Sequence, residues 1–186
     1  MFGAVRLSLV LLILCGGVYP ALTTLVGQVA FPRQANGSLV LRSDGAVIGS
    51  ELIAQPFDKD RYFHPRPSAA GADGYNAAAS SGSNLGATNK ILTDRVAAAA
   101  SALRAENASL TTLPADLLTT SASGLDPDIS VAAALAQVPR IAKARSLPAE
   151  RVAALVNDSA IGPEFGIFGT RRVNVLLLNL AVDALK

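Results

Sequence analysis

Between Leu7 and Phe31 the chain carries no charged side chain and few strongly polar ones. Twenty-five residues of α-helix, at about 1.5 Å each, reach roughly 37 Å, against a bilayer hydrocarbon core of about 30 Å. The run is therefore long enough to cross a membrane with some tilt. It also accounts for the 51% hydrophobic content and the mean hydropathy of +0.39, both high for a soluble domain of this length. Pro20 would interrupt a soluble helix but is tolerated in a span, and Gly16, Gly17 and Gly27 would let another helix come close.

Two processing readings compete with a retained anchor. A cleaved signal peptide would use Arg6 and the apolar run to Leu14, yet apolar character resumes from Val18 and no small-x-small site intervenes. A lipoprotein acylated at Cys15 would need a small residue where Leu14 stands. Cys15 is the only cysteine, so the remainder of the chain has no internal disulfide. Arg6 on one flank and Arg33 and Arg42 on the other leave the orientation close to a tie.

The expected organisation is a short tail (1–6), a transmembrane helix (7–31) and one extramembrane domain (32–186). The fold class is α/β, in the α+β sense: a small mixed domain with a short hairpin and several helices. Leu39-Val40-Leu41 and Val47-Ile48 flank Asp44-Gly45, a strong local hairpin signal. Residues 64–88 combine prolines, glycines and small polar side chains, which is loop chemistry of functional length. A helix is expected from about Asn89 to Glu106 with Thr88 or Asn89 as cap. Another is expected from Pro127 to Arg145, with Asp126 as N-cap, Pro127 in the first turn and Asp128 against the helix dipole. Ser146 and Pro148 open a short helix to about Val156. Residues 162–169 read as a loop or short strand carrying Phe165 and Phe168. Residues 173–185 read as a buried helix with Asn174 near its start, in which Asn179 and Asp183 need partners.

Beyond Arg6 there are 15 basic and 14 acidic residues and no basic stripe, so strong electrostatic binding of nucleic acid is not expected. The single histidine, His64, could serve Ser121, Ser123 or Ser130 in a hydrolase, but no G-x-S-x-G elbow is present. One histidine and one cysteine make no zinc site. Ser81-Gly82-Ser83-Asn84-Leu85-Gly86 offers backbone N–H groups to a phosphate, without the lysine of a nucleotide loop. No catalytic and no metal residue is assigned.

Several segments, in order, resemble the C subunit family of the bacterial Kdp potassium-transporting ATPase. They are Gly49-Ser50-Glu51-Leu52-Ile53-Ala54-Gln55, Tyr62-Phe63, Arg66-Pro67-Ser68-Ala69, Tyr75-Asn76 and the stretch from Ser81 to Gly86. The resemblance continues through 120–127, Ile129-Ser130, Gln137, Arg140-Ile141-Ala142 and 172–176. Asp128 departs from the family's more usual histidine or asparagine, and Thr170-Arg171 from its Glu-Pro pair. The resemblance implies a non-catalytic accessory subunit in the cytoplasmic (inner) membrane, single-pass, with its domain on the extracytoplasmic side. It implies a channel-like subunit and a P-type ATP-hydrolysing subunit as partners besides lipid, and a role as catalytic chaperone that raises the latter's affinity for ATP. ATP, magnesium and potassium then belong to the complex, with no cofactor on this chain. Candidate partner or nucleotide contacts are Ser81, Gly82, Ser83, Asn84, Gly86, Arg66, Gln137 and Arg140. The alternatives are a membrane-anchored serine hydrolase and a free-standing lipoprotein binding domain.

Overall fold

The uncharged run forms one helix, α1 (Phe2–Ala30), in a computed structural model that describes residues 2–185. It extends into the expected tail, of which Met1 lies outside the described residues. None of its length is buried against other parts of the chain, and its mean hydropathy reaches 2.2. Ahead of Pro20 the ladder widens to a π-turn over Leu14–Val18, where the Tyr19 N–H donates to the Leu14 carbonyl five residues back. A proline offers no N–H to the preceding turn, and a widened turn is one way a helix absorbs that loss.

The chain divides into two units, Met1–Ser50 and Glu51–Lys186. The first unit ends in that hairpin, β1 (Leu39–Leu41) against β2 (Val47–Ser50), with a bulge between Val40 and Leu41. Its turn is closed as the Asp-Gly pair requires. Asp44 Oδ1 accepts from the Ala46 N–H at 2.9 Å, and Gly45 takes φ +83°.

The second unit is built on α3 (Val131–Arg145), which follows α2 (Lys90–Glu106) in the chain. Against α3 pack α4 (Ala149–Asp158) and the C-terminal α5 (Val175–Ala184). Phe63, Ile129, Val138, Ile141, Val152, Val156, Leu178 and Val182 form its core. Of the two cap candidates for α2 it is Asn89 that accepts from the Ile91 N–H, and Asn174, expected near the start of α5, caps it by accepting from the Leu177 N–H. Helix α3 runs through Pro139 without ending there.

The expected start of α3 is wrong. Asp128–Ser130 is a strand, β3, paired antiparallel with β4 (Arg172–Asn174), and the helix begins only at Val131. Ser130 is its N-cap: its Oγ accepts from the Ala133 N–H at 3.0 Å and donates to Asp116 Oδ1 at 3.1 Å. Asp126 instead caps a turn, accepting from the Asp128 N–H at 3.1 Å, and the Pro127 carbonyl accepts from the Val175 N–H. A carboxylate that takes a backbone N–H two residues on serves a helix start and a turn equally well. The pairing with residues some 45 positions away selects the turn, and no local signal carries that.

Candidate functional site

Residues 59–62 form a turn, closed by the Tyr62 N–H on the Lys59 carbonyl at 2.9 Å, and with Phe63 and His64 they make a strap held by polar side chains from two helices. Successive residues of an extended chain point their N–H and C=O groups to opposite sides, and each side meets a primary amide. The Phe63 N–H donates to Asn179 Oδ1 at 2.7 Å, and Asn179 Nδ2 donates to the Phe63 carbonyl at 3.0 Å, from α5. From α3, the His64 N–H donates to Gln137 Oε1 at 2.8 Å, and Gln137 Nε2 donates to the His64 carbonyl at 3.1 Å. Two amides thus imitate the two-point pairing of a neighbouring strand.

Two arginines complete the strap. Arg140 donates to the carbonyls of Asp60 and Tyr62, to Gln137 and to Glu106. Arg145 donates to the Arg61 carbonyl at 2.7 Å and to Asp183 at 2.7 Å, with its guanidinium 5.1 Å from the Tyr62 ring centroid. Buried Asn179 and exposed Asp183 therefore both have partners. Gln137, at 2% exposure, faces the interior, and Arg140 is committed to the strap. Their donors and acceptors hold the chain's own backbone and, for Arg140, the side chains of Glu106 and Gln137 as well.

Beyond the strap, loop 64–88 interlocks with residues 119–126. Ser68 Oγ donates to the Gly124 carbonyl at 2.6 Å and accepts from the Tyr75 N–H at 2.8 Å. The Tyr75 hydroxyl donates to the Arg66 carbonyl, and burial pushes its pKa up to about 12. The Ser81 N–H donates to the Ser123 carbonyl at 2.9 Å, and Ser80 Oγ donates to that carbonyl at 3.0 Å. A side chain at Gly82 would lie 2.9 Å from the Ala122 carbonyl oxygen.

This geometry bears on the stretch from Ser81 to Gly86. Its first N–H is already bonded, and Lys90, the nearest following lysine, is paired with Asp94 at 2.7 Å. Ser83 is half-buried, whereas Asn84 and Gly86 are exposed. Arg66 commits its terminal nitrogens to Asp126 and the Thr120 carbonyl, and its buried Nε has no hydrogen bond.

Arg66 also lines a cavity of about 250 Å³ with Asp116, Asp126, Asp128, Ser130 and Arg172. Each carboxylate there has a partner. Asp116 accepts from the Ser130 N–H and hydroxyl, and Asp126 pairs with Arg66. Asp128 pairs with Arg172 at 2.9 Å and accepts from Asn174. Burial raises the Asp128 pKa while Arg172 opposes it. The cluster reads as a seam that ties the short sheet to the interlocked loops.

His64 does not meet a nucleophile. Its Nε2 lies 3.3 Å from the Lys59 carbonyl, and Ser130 caps α3 while Ser123 accepts from the Leu125 N–H. Burial first, then the positive charge of Arg140, lowers the His64 pKa below 6.5. The folded chain then binds fewer protons than the unfolded chain between that lowered value and 6.5, so stability rises with pH across this window and falls below it. The melting temperature of the full-length chain is expected to drop on acidification below pH 6.5. His64→Gln, which cannot titrate, should flatten the slope there; an unchanged slope would assign the pH dependence elsewhere.

One exposed feature carries no internal role. Residues 161–168 place Phe165, Ile167 and Phe168 at 91%, 79% and 67% exposure on a closed turn. The repeated Phe and Gly of Phe165-Gly166-Ile167-Phe168-Gly169 was the available signal, but sequence cannot say that both rings face outward.

With this geometry in view, comparison with known proteins is decisive. The family described as "KdpC: K+-transporting ATPase, c chain" matches residues 1–184. The chain belongs to the KdpC family. It is similar to the potassium-transporting ATPase KdpC subunit of Rhodopseudomonas palustris (strain BisB18), 54% identical across 98% of this chain and 96% of that protein. The namesake from Nitratidesulfovibrio vulgaris is 52% identical across 100% of this chain and 96% of its own length. That of Caulobacter vibrioides (strain NA1000 / CB15N) is 55% identical, covering 92% and 86%. The resemblance first carried by Arg66-Pro67-Ser68 and its companions thus extends over the whole KdpC chain. In this KdpC-family domain those residues form the strap and the interlock.

Proposed function

We propose that the chain is a non-catalytic accessory subunit of an ATP-driven potassium pump of the cytoplasmic membrane, and that it raises the ATP affinity of the ATP-hydrolysing subunit. The observation that supports this reading is the use of the polar residues. Gln137, Arg140, Asn179, Ser68 and Ser130 are bonded to the domain's own backbone, which makes a rigid body without a nucleophile and base in contact.

In this reading α1 anchors the chain, the domain lies on the extracytoplasmic side, and its partners are the channel-like and the P-type subunits. The exposed crest of loop 64–88, at Ala72, Asp73 and Ala77–Ser80, is the face assigned to the channel-like subunit. An external domain acts on cytoplasmic ATP only by favouring one pump conformation over another. A coupling of about 1–3 kcal/mol corresponds to a change of roughly 5–150-fold in affinity.

The test is reconstitution of the pump in proteoliposomes with and without this chain. The chain by itself should hydrolyse no ATP, and its omission should raise the KM for ATP at least about fivefold. A single cysteine at exposed Ser101, in a Cys15→Ser background, reports in the same vesicles which side the domain occupies. An unchanged KM in a fully assembled pump would count against the chaperone role, and cytoplasmic labelling against the external placement.

A further inference from the structure

Among the described residues of the second unit, eight large apolar side chains are exposed, and four of them lie within residues 161–168: Ile161, Phe165, Ile167 and Phe168. The other four, Leu52, Ile91, Leu135 and Leu177, are scattered singly, as is normal on a soluble surface. The clustered set belongs to an ordered knob. At its stem Ile161 and Arg172 exchange backbone hydrogen bonds at 2.8 and 3.1 Å. At its neck Glu164 and Phe168 do the same at 2.8 and 2.9 Å, and Arg172 Nη2 donates to Glu164 at 3.1 Å.

The apex is held in a costly conformation. Phe165 takes φ +52°, a region that bulky side chains avoid, followed by Gly166 at +74°. The consequence is a phenylalanine at 91% exposure, with little packing to offset the strain.

We propose that this knob inserts Phe165, Ile167 and Phe168 into the headgroup–acyl boundary of the bilayer that holds α1. Three features favour lipid over a protein pocket. The domain is covalently tied to a helix with the length and apolarity of a membrane span, so a bilayer is at high effective concentration for it. The knob is a convex protrusion of separate apolar side chains, the shape that enters a fluid boundary, and residues 165–170 carry no charge. Arg171, exposed at its base, stands where lipid phosphates would lie, the usual pairing of buried rings and interfacial cations. The inference rests on α1 as an anchor and not on any role in a pump.

The chain contains no tryptophan, so one introduced residue reports without background. The full-length Phe165→Trp protein is reconstituted in phosphatidylcholine–phosphatidylglycerol vesicles, with and without lipids brominated along the acyl chain. The expected result is blue-shifted emission that brominated lipids quench, with quenching reduced by a further Ile167→Ser substitution. Ile91→Trp, at a position 65% exposed elsewhere, should remain unquenched. Emission typical of water and indifferent to brominated lipid would overturn the proposal. So would a blue shift that arises only when other pump subunits are added and that brominated lipid does not quench, which would assign the knob to a protein surface.

Discussion

Gly124→Ala is expected to lower the melting temperature of the full-length chain by roughly 10 °C. A methyl group at this position would lie 2.5 Å from the Ser81 carbonyl oxygen and 2.8 Å from the Ala70 nitrogen, both backbone atoms. The residue also takes φ +67°, where an L side chain adds about 1–2 kcal/mol of strain. Relief requires loop 64–88 to separate from residues 119–126, which would cost the Ser68 bond to Gly124 and the Ser81 bond to Ser123. Overpacking of this kind adds about 1–3 kcal/mol, for a sum of about 2–5 kcal/mol from a domain stability of roughly 5–15 kcal/mol. Gly86→Ala supplies the control in the same loop, since nothing lies within 4 Å of its added methyl and its φ is not positive. That variant should be neutral or slightly stabilising. Circular dichroism melts of both proteins in detergent decide the matter; equal midpoints would mean that the loops are not interlocked.

Asn179→Leu should be comparably damaging, through a different mechanism. Leucine is close to asparagine in size and suits an apolar helix, so packing and propensity change little. What is lost is the pair of bonds to the N–H and carbonyl of Phe63, a residue with no exposure at all. A buried backbone group left without a partner costs about 1–3 kcal/mol, and two such groups give about 2–6 kcal/mol. Amide hydrogen exchange at Phe63 gives the specific readout, because loss of the amide should release residues 59–64 before the helices melt. If exchange there stays as slow as in the parent while the midpoint falls, Asn179 acts through packing and not as a clamp.

Both predictions depend on contacts between positions far apart in the chain, and this separates what was legible early from what was not. Asn89 is readable as a cap and Asn174 as lying near a helix start because a helix start is settled within four residues. The hairpin was readable at Asp44-Gly45 for the same reason. Asp126-Pro127 misled because its chemistry fits a helix start and a turn alike, and the choice is made by β4. Gln137 and Arg140 read from sequence as candidate partner or nucleotide contacts, because polar residues on an amphipathic helix look the same whether they meet a partner or a strap from the same chain.

The family, the α+β class and the long apolar helix at the start of the chain needed no coordinates. The uncharged run, the short-range caps and the ordered series of motifs are properties of neighbouring residues, whose energies do not depend on the rest of the fold. The strap between two amides, the interlocked loops and the outward Phe165 exist only once distant segments are brought together. A side chain's hydrogen-bonding capacity is written in its chemistry, but which groups satisfy it, and whether water or protein covers an aromatic ring, is fixed by packing across the whole domain.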